Sequence, residues 1–524
     1  MNPIRRLRFL FAILLTILIT AQVRSQGITS EEIDQLAERT LKAFDVPGIA
    51  VGVVKDGKLI HARGYGVRSL TTRQKTDENT LFAIASNSKA FTAAALGILV
   101  EGKKLKWDDR VTDIIPEFRM YDPYVTAHFT IRDLLTHRSG LGLGAGDLMI
   151  WPDSATFSKQ EIIHNLRFLK PVSDFRTKYD YDNLLYIVAG EVVARVSGTS
   201  WENFVETRIM QPLQMNQSAA SYHHLKDRSN LIDAHAPVNG RVQVIPQSLS
   251  NVANAAGGIY TNIVDMSKWA IVLLNSGKIG DNPDRKLFSK AVLEEMWTPQ
   301  TIIPVGGSNS YNTHFGSYGL GWFISDVKGY KQVSHTGGLA GIVTQFTLIP
   351  ELQLGIIVFT NQQQGAAFSA ITNTIKDRYL GITGPDWVQS NLEKVRKNEE
   401  EAQKITGKIW QEINSVQNSS ANPDRKIYSG TYADNWFGKI VIAEKNGKLW
   451  FSSLRSPKLC GEMLFYKGNT FVVKWNDRSM DADAFALFTL DENGKATGLR
   501  MKAISPLTDF SFDFHDLDFQ RANE

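Results

Sequence analysis

The 524-residue sequence contains a single cysteine, Cys460, so no intramolecular disulfide bond can stabilise the chain. Stability must come from the burial of apolar surface, which a chain of this length can provide. We do not predict a catalytic thiol at Cys460, because this residue lies in a β-rich tail far from any cluster of histidines.

The motifs of several enzyme classes are also absent. There is no Gly-x-Ser-x-Gly segment, which excludes an α/β-hydrolase nucleophile. There is no His-Glu-x-x-His segment, and the ten histidines show no spacing typical of paired zinc ligands, so we predict no metal site. Residues 97–103 match most of a phosphate-binding loop, but Lys104 stands where Ser or Thr is required. The sequence predicts no cofactor.

The chain has no excess of positive charge once its N-terminus is set aside. It contains 58 Lys and Arg against 54 Asp and Glu, and four of those arginines lie in residues 1–25, which hold no acidic residue. The remaining chain is balanced in charge, which gives no reason to predict a nucleic-acid partner.

Residues 1–25 have the pattern of a signal peptide. Three arginines between positions 5 and 8 precede a largely apolar run over residues 9–21, and small residues follow near position 25. A membrane-spanning helix needs about 20 apolar residues, so this run is short for a span. An uncleaved N-terminal anchor is the alternative. Both interpretations predict export to the periplasm or the extracellular space, and cleavage would leave no membrane span.

We predict that residues 28–381 form an α+β domain. Apolar segments flanking turn residues predict a β-hairpin near each end, and helical patterns lie between and after the hairpins. This arrangement is typical of an antiparallel sheet flanked by helices. The hairpin segments are 49–54 with 59–67 and 343–349 with 354–359, and the helical segments are 91–100 and 366–380.

The composition changes after Gly384. We predict a helical segment and a linker over residues 385–425, because Glu, Lys and Gln predominate in a pattern typical of an exposed helix and a polar stretch with a proline follows. Residues 426–524 show short alternating strands separated by Asn-Gly and Gly-Asn turns. That spacing predicts a separate domain, a small antiparallel β-barrel or sandwich.

Residues 86–89 (Ser-Asn-Ser-Lys) begin an alanine-rich helical segment. Because residues at i and i+3 share one helix face, we expect the Lys89 amine to reach the Ser86 hydroxyl. A serine hydroxyl is a weak nucleophile until a base removes its proton, and an amine can do so when burial lowers its pKa toward 7. The Ser86 N–H, at a helix N-terminus, is also free to hold an oxyanion. Ser86 is the candidate nucleophile and Lys89 its base.

Two further segments carry polar groups suited to the same chemistry. Tyr181 and Asn183 precede an apolar helical segment; a tyrosine near a cation can relay a proton, and an asparagine amide can hold a substrate carbonyl. Residues 335–338 follow a strand-like segment, where glycines let an extended substrate lie along the strand. His335, Thr336 and Gly338 are therefore candidate substrate-binding residues, with the Gly338 N–H as a second oxyanion donor.

Each of these motifs is weak by itself. Residues 325–328 repeat the Ser-x-x-Lys spacing in a predicted strand and turn, where the lysine would not project over the serine, and residues 260–262 repeat Tyr-x-Asn. A lone histidine such as His335 is more often a buried or capped side chain. The three motifs in this order along one chain are far more specific.

In this order, the Ser-x-x-Lys, Tyr-x-Asn and basic-Thr-Gly segments resemble the motifs of the penicillin-recognising serine hydrolases. The tyrosine form resembles class C β-lactamases, low-molecular-weight D,D-peptidases, related esterases and D-aminopeptidases. Residues 82–85, 134–141 and 256–258 are similar to further family segments, the second of which is structural in the family. The unit beginning at Tyr428 resembles the lipocalin-like barrel appended to many members.

The resemblance implies acyl transfer on a D-alanyl peptide, a D-amino-acid amide, an ester or a β-lactam. Ser86 would attack the carbonyl, Lys89 with Tyr181 would take the serine proton, and Tyr181 would return it to the leaving group; either residue is a candidate for the base. The implied partner is a small-molecule or peptide substrate, cell-wall fragments among the candidates. The alternative is a non-catalytic penicillin-binding-like protein that serves as a sensor or scaffold.

Two positions depart from the family pattern. His335 replaces the lysine of class C β-lactamases, and residues 175–176 replace a Pro-Gly pair that often precedes the tyrosine motif. Both departures disfavour efficient β-lactam hydrolysis. Because histidine has an ordinary pKa of about 6.5, we expect His335 to attract a substrate carboxylate only as it gains charge between pH 8 and pH 6.

Overall fold

The computed structural model describes residues 27–522 except 248, 281, 283, 308, 309 and 418–422. The predicted signal peptide and part of the predicted linker lie outside the described residues. Among the residues that are described, no helix combines the length and the apolar character that a membrane crossing requires.

An eight-stranded antiparallel sheet and two short strand pairs form the β-structure of the N-terminal domain. The strands in chain order are β1 (Gly48–Lys55), β2 (Lys58–Gly66), β3 (Phe82–Ala83), β4 (Ala234–Val238), β5 (Arg241–Ile245), β6 (Tyr260–Thr261), β7 (Thr301–Ile303), β8 (Gly316–Tyr318), β9 (Phe323–Val327), β10 (Tyr330–Leu339), β11 (Ile342–Ile349) and β12 (Leu354–Thr360). The large sheet has the order β2-β1-β12-β11-β10-β9-β8-β7, while β3 pairs with β6 and β4 with β5. The two predicted hairpins are therefore joined side by side through β1 and β12.

Helices cover both faces of the large sheet. In chain order they are α1 (Ser30–Ala43), α2 (Ser88–Glu101), α3 (Val111–Ile114), α4 (Pro123–His128), α5 (Ile131–Leu134), α6 (Lys159–Asn165), α7 (Leu184–Ser197), α8 (Trp201–Val205), α9 (Asn254–Gly257), α10 (Ile263–Leu274), α11 (Lys290–Met296) and α12 (Gly365–Leu380). One apolar core contains α1 and α12, and another contains α2, α7 and α10. The predicted sheet flanked by helices is confirmed.

The central strand β1 shows why helices are needed on both faces. Its side chains alternate between the two cores, because successive residues of a strand point to opposite faces. Ile49, Val51 and Val53 pack in the core under α1 and α12, whereas Ala50 and Val54 pack in the core that contains α10. A strand that is buried on both faces must be apolar throughout, which explains its lack of polar alternation.

The C-terminal domain is a closed antiparallel barrel of eight strands. They are β13 (Gly430–Asp434), β14 (Gly438–Lys445), β15 (Lys448–Ser453), β16 (Cys460–Lys467), β17 (Thr470–Trp475), β18 (Ala484–Leu490), β19 (Ala496–Ala503) and β20 (Asp518–Arg521). Pairing of β20 with β13 removes the free sheet edges. The predicted barrel is confirmed, and the alternative of an open sandwich is wrong.

A single long helix, α13 (Trp387–Gln417), connects the two domains. Near its start, Val388 packs in the core that contains α12. Near its end, Ile409 and Ile413 pack against Val472 of the barrel. The sparse apolar residues, which led us to expect a solvent-exposed helix, are therefore the contacts that hold the helix to both domains.

Residues 335–338 lie inside β10, although the sequence pattern predicted that they follow a strand. β10 pairs with β11 as far as Leu339, but its pairing with β9 ends at Ser334 opposite Phe323. From His335 onward, one edge of β10 is therefore free of β9. His335 and Gly337 are buried along this segment, whereas Thr336 and Gly338 are exposed.

Gly337 allows a close contact between β10 and the segment before Ser86. A Cβ atom added at Gly337 would lie 2.2 Å from the Ile84 carbonyl oxygen and 2.5 Å from Thr344 Oγ1. A Cβ atom added at Gly338 would meet no atom within 4 Å. The two adjacent glycines thus differ, since only the first is required by packing within the protein.

We expect Gly337→Ala to destabilise the protein by about 1–3 kcal/mol, because the new methyl group must displace the backbone at Ile84. Gly338→Ala is the matched control and should keep the thermal midpoint within about 2 °C of the unsubstituted protein. Differential scanning calorimetry measures both midpoints. Equal midpoints for the two variants would contradict the packing argument.

Candidate active site

Ser86 lies in a tight turn between β3 and α2. A single 3₁₀ turn, Ala85–Asn87, carries the serine, and α2 begins two residues after it, at Ser88. Ala85 has a φ of 48°, in the left-handed region that costs a non-glycine residue about 1–3 kcal/mol. Ser86 is half-buried between two buried neighbours and lines a cavity, so the strained turn presents its side chain to that cavity.

Lys89 is fully buried, and its amine has three hydrogen-bond acceptors. Lys89 Nζ lies 3.0 Å from Ser86 Oγ, 2.7 Å from Asn183 Oδ1 and 3.0 Å from the Ala256 carbonyl oxygen of α9. An ammonium group has three N–H donors, so these acceptors satisfy the charged form completely and define the position of the nitrogen. The structure thus brings the predicted nucleophile and base into direct contact.

Burial lowers the pKa of Lys89 to about 7, against the opposing effect of the nearby Asp147 and Asp182 carboxyl groups. Burial also raises the pKa of Asp147 to about 8 and the pKa of Asp182 to about 7. Withdrawal from water favours the neutral form of each group. Near pH 7 a large fraction of Lys89 is therefore an uncharged amine, which is the form that accepts the Ser86 proton.

The Tyr181 hydroxyl lies near enough to the Ser86 side chain for the two to interact, and the Lys89 amine lies 4.8 Å from the centre of the Tyr181 ring. The His137 ring packs on Tyr181 with 4.2 Å between ring centres, and His137 Nδ1 accepts a hydrogen bond from the Asp182 N–H. Burial raises the pKa of Tyr181 well above its ordinary value. Tyr181 is therefore a neutral phenol near pH 7, a form that can pass a proton on.

Both polar groups of the Asn183 side chain are used inside the protein. Oδ1 accepts from the Lys89 amine, and Nδ2 donates to Asp147 Oδ2 at 2.8 Å. These bonds connect Asn183 to Lys89 and Asp147, where it orients the amine. Asn183 also lines the cavity, and its contact with substrate remains a prediction.

His335 is buried, with 1% of its surface exposed. Its Nε2 lies 2.9 Å from the Tyr318 hydroxyl and its Nδ1 lies 2.5 Å from the Thr336 carbonyl oxygen. A neutral ring that donates from Nδ1 and accepts at Nε2 satisfies both contacts. Burial lowers the pKa of His335 to about 3. The expectation that His335 gains charge between pH 8 and pH 6 is therefore wrong.

A cavity of about 600 Å³ lies over Ser86, between the two domains. Tyr181, Asn183, His335, Thr336 and Gly338 line it together with the nucleophile, so all candidate residues except the buried Lys89 meet there. The C-terminal domain supplies part of the wall, through Lys458, Asp477, Ser479, Met480, Asp481, Leu507, Asp509, Phe510, Ser511 and Phe512.

The charged residues that line this cavity are mainly acidic. They are Asp153, Asp477, Asp481 and Asp509, with a single lysine, Lys458. Lys458 Nζ lies 3.6 Å from Asp477 Oδ2, so its charge is paired. Among the described lining residues, a substrate carboxylate would find no unpaired cation.

Asp147 and the residues of the C-terminal domain are the parts of the site that our sequence analysis missed. Asp147 begins a short 3₁₀ turn, Asp147–Met149, in a segment without a motif, and its partner Ser511 is 364 positions away along the chain. Local patterns carry no signal for contacts of this kind. In the part of the chain that is described, no group of three or more His, Cys, Asp or Glu side chains is placed to hold a metal ion.

The sheet, its helices and the Ser86–Lys89 pair have the arrangement of serine hydrolases with the penicillin-binding-protein fold. The chain belongs to the Beta-lactamase family, which matches residues 33–379. Residues 417–521 match a second family, described as a Domain of unknown function (DUF3471).

The chain is similar to several curated proteins and solved structures. "Unguisins hydrolase ungD" of Aspergillus violaceofuscus (strain CBS 115571) is 27% identical over 439 residues, which are 78% of this chain and 76% of that protein. "Protein flp" of Staphylococcus aureus (strain NCTC 8325 / PS 47) is 23% identical over 338 residues, 64% of this chain and 63% of that protein. The octameric penicillin-binding protein homologue from Pyrococcus abyssi, at 21% identity and a TM-score of 0.61, shares the fold over 94% of this chain and 100% of its own.

The rate at which Ser86 is acylated should rise with pH and reach half of its maximum near pH 7, because Lys89 must lose its proton before it can accept one from the serine. Stopped-flow measurements with an uncharged nitrophenyl ester, from about pH 5.5 to about pH 8.5, would record this profile. A rate that is constant over this range would contradict the function of Lys89 as the base.

Two substitutions at Lys89 serve as controls for the pH profile. Lys89→Met removes the amine, and Lys89→Arg replaces it with a guanidinium group that stays protonated at any working pH. We expect both variants to lose acylation. An arginine variant that is acylated at the unsubstituted rate would show that the residue supplies only a positive charge.

Proposed function

We propose that this protein is an exported serine hydrolase that acts through an acyl-enzyme formed on Ser86. The observation that carries the proposal is the buried Lys89 amine, 3.0 Å from the Ser86 hydroxyl at the floor of a cavity of substrate size. The hydrolase name of the Aspergillus relative supports the same class of reaction. Export is predicted from residues 1–25 alone.

In the proposed reaction, the neutral Lys89 amine accepts the Ser86 proton while Oγ bonds to the substrate carbonyl carbon. The backbone N–H groups of Ser86 and Gly338 hold the negative charge that develops on the carbonyl oxygen. Tyr181 then gives its proton to the leaving group and takes one from the Lys89 ammonium. The bond to the leaving group breaks, and an ester on Ser86 and a neutral Lys89 remain.

Deacylation reverses the proton path. A water molecule gives a proton to the neutral Lys89 amine as its oxygen attacks the ester carbon. Collapse of the intermediate releases the carboxylic acid, and the Ser86 oxygen recovers a proton through Tyr181 from Lys89. Each turnover therefore consumes one water molecule and restores the starting protonation states.

Lys89 is the base in this proposal, and Tyr181 is the proton relay. Burial moves the pKa of Lys89 to about 7, where the free amine is abundant, but moves the pKa of Tyr181 further above neutrality. A phenolate would therefore be rare in the buried site. The interaction of Tyr181 with Ser86 places the neutral phenol close to the carbonyl that Ser86 attacks, and so close to the departing group.

The proposed substrates are amides or esters without a carboxylate beside the scissile bond. His335 is neutral over the working pH range, Lys458 is paired with Asp477, and the other charged residues of the cavity wall are acidic. A carboxylate in this cavity would meet repulsion without a compensating cation. Among the substrates considered, D-amino-acid amides and neutral esters are favoured over D-alanyl peptides and β-lactams, which carry a carboxylate.

Incubation of the folded protein with a fluorophosphonate should place one covalent adduct on the peptide that contains Ser86, because the activated hydroxyl attacks the phosphorus centre. Mass spectrometry of the digested protein locates the adduct, and Ser86→Ala and urea-unfolded protein are the blanks. Folded protein that stays unlabelled by both a fluorophosphonate and a penicillin would favour the non-catalytic binding alternative.

We expect a neutral ester to be hydrolysed with a kcat/KM at least about tenfold higher than that of a matched ester with an α-carboxylate, a difference of about 1.4 kcal/mol. The ratio should be equal at pH 6 and pH 8, because His335 does not titrate in this range. Steady-state assays with the paired substrates measure the ratio. A preference for the carboxylate substrate would contradict the proposed substrate class.

Asp477→Asn should reduce the preference for neutral substrates, because it releases Lys458 from its ion pair and leaves a free cation in the cavity. Glu492→Gln is the matched control, since it removes one carboxylate from an exposed turn of the same barrel. If the ratio of kcat/KM for the neutral ester to that for the carboxylate ester is unchanged in Asp477→Asn, the charges on the barrel side of the cavity do not determine which substrate is preferred.

A further inference from the structure

The connection between β19 and β20 brings a loop of the C-terminal domain into the active-site cavity. We call residues 505–513 the barrel loop. Several of its side chains line the cavity over Ser86. The Phe510 ring meets the Tyr181 ring edge to face, with 5.8 Å between ring centres. The barrel loop therefore contacts Tyr181, which lines the cavity beside the nucleophile.

A continuous chain of hydrogen bonds runs from the barrel loop to the nucleophile. Ser511 Oγ donates to Asp147 Oδ2 at 2.9 Å, and Asn183 Nδ2 donates to the same oxygen at 2.8 Å. Asn183 Oδ1 accepts from Lys89 Nζ at 2.7 Å, and Nζ lies 3.0 Å from Ser86 Oγ. Asp147 and Lys89 are both fully buried, so the middle of this chain of hydrogen bonds lies away from solvent.

The barrel loop also holds the backbone on both sides of Asp147. The buried carboxyl group of Asp513 accepts hydrogen bonds from the Gly146 N–H at 2.6 Å and from the Leu148 N–H at 3.0 Å. At Gly144, where φ is +71°, an added Cβ atom would lie 2.8 Å from the Phe510 carbonyl oxygen. The segment that carries Asp147 therefore packs directly against the barrel loop.

The direction of the Asn183 amide matters for the amine. Its oxygen must face Lys89, because a rotated amide would aim an N–H donor at the amine and remove an acceptor from it. Asp147 Oδ2 fixes this direction by accepting from Nδ2, and Ser511 holds Oδ2 from the opposite domain. Ser511 thereby restricts rotation of the Asp147 carboxyl group.

We propose that Ser511, supplied by the C-terminal domain, is a positioning residue for the Ser86–Lys89 pair, acting through Asp147 and Asn183. The proposal rests on the function proposed above for Ser86 and Lys89, and it deepens that function by making the C-terminal domain part of the catalytic site. Ser511 does not contact the reacting atoms; it keeps the amine where the serine proton is transferred.

Ser511→Ala is the variant that tests the proposal. We expect the maximal rate of acylation by a fluorophosphonate to fall about 3- to 30-fold, the effect of a lost hydrogen bond to a charged or buried partner. The half-saturating probe concentration and the thermal midpoint should change little. Ser511→Thr keeps the hydroxyl group and should restore most of the rate, which a general loss of stability would not produce.

Ser505→Ala is the matched control in the same loop, because the Ser505 hydroxyl accepts a hydrogen bond from the Leu507 N–H, within the barrel loop itself. It should be acylated at the unsubstituted rate. The proposal is overturned if Ser511→Ala is acylated as fast as the unsubstituted protein, or if Ser505→Ala slows as much as Ser511→Ala. An unsubstituted protein that takes up no label at Ser86 would instead overturn the proposed function itself.

Discussion

An ammonium group withdrawn from water must find acceptors for all of its protons or give one of them up. Both outcomes apply to Lys89. Three acceptors surround its amine, and burial lowers its pKa to about 7, so that the amine also loses its proton readily. Its acceptors come from the start of α2, the start of α7 and the short helix α9, which are far apart in the sequence. Segments of the helical layer beside the sheet therefore surround the Lys89 nitrogen atom. How completely they exclude water sets the pKa of the amine, and with it the fraction of Lys89 that can accept the Ser86 proton.

The large sheet forms another wall of the active site, through strand β10. β10 passes close to the turn that carries Ser86 because Gly337 has no side chain, and the end of its pairing with β9 leaves the edge at Thr336 and Gly338 open to the cavity. Cores on both faces of the central strands hold β10 in register with its neighbours. The nucleophile thus lies between a rigid strand edge and a buried amine.

Much of the fold could be predicted from local patterns. Turn residues between apolar segments located both hairpins, and the Ser-x-x-Lys spacing brought Ser86 and Lys89 together because one helical turn separates them. What could not be predicted depended on burial and on contacts between distant segments. The titration predicted for His335 is wrong because the pleat of β10 buries its ring beside Tyr318. The bond from Asn183 to Asp147 could not be predicted, because nothing near Asn183 in the sequence marks Asp147 as its partner.

The order in which the chain is synthesised gives the Asp513 contacts a further meaning. Gly146 and Leu148 flank Asp147, and Leu148 precedes Asp513 by 365 positions. During synthesis these backbone groups exist without their partner until Asp513 has been added. A chain that ended before the barrel loop would contain Ser86, Lys89 and Tyr181. It would lack Ser511 and Asp513, which hold Asp147 and the residues beside it. The whole site can therefore assemble only after residues 505–513 have been synthesised, more than 350 residues after Asp147.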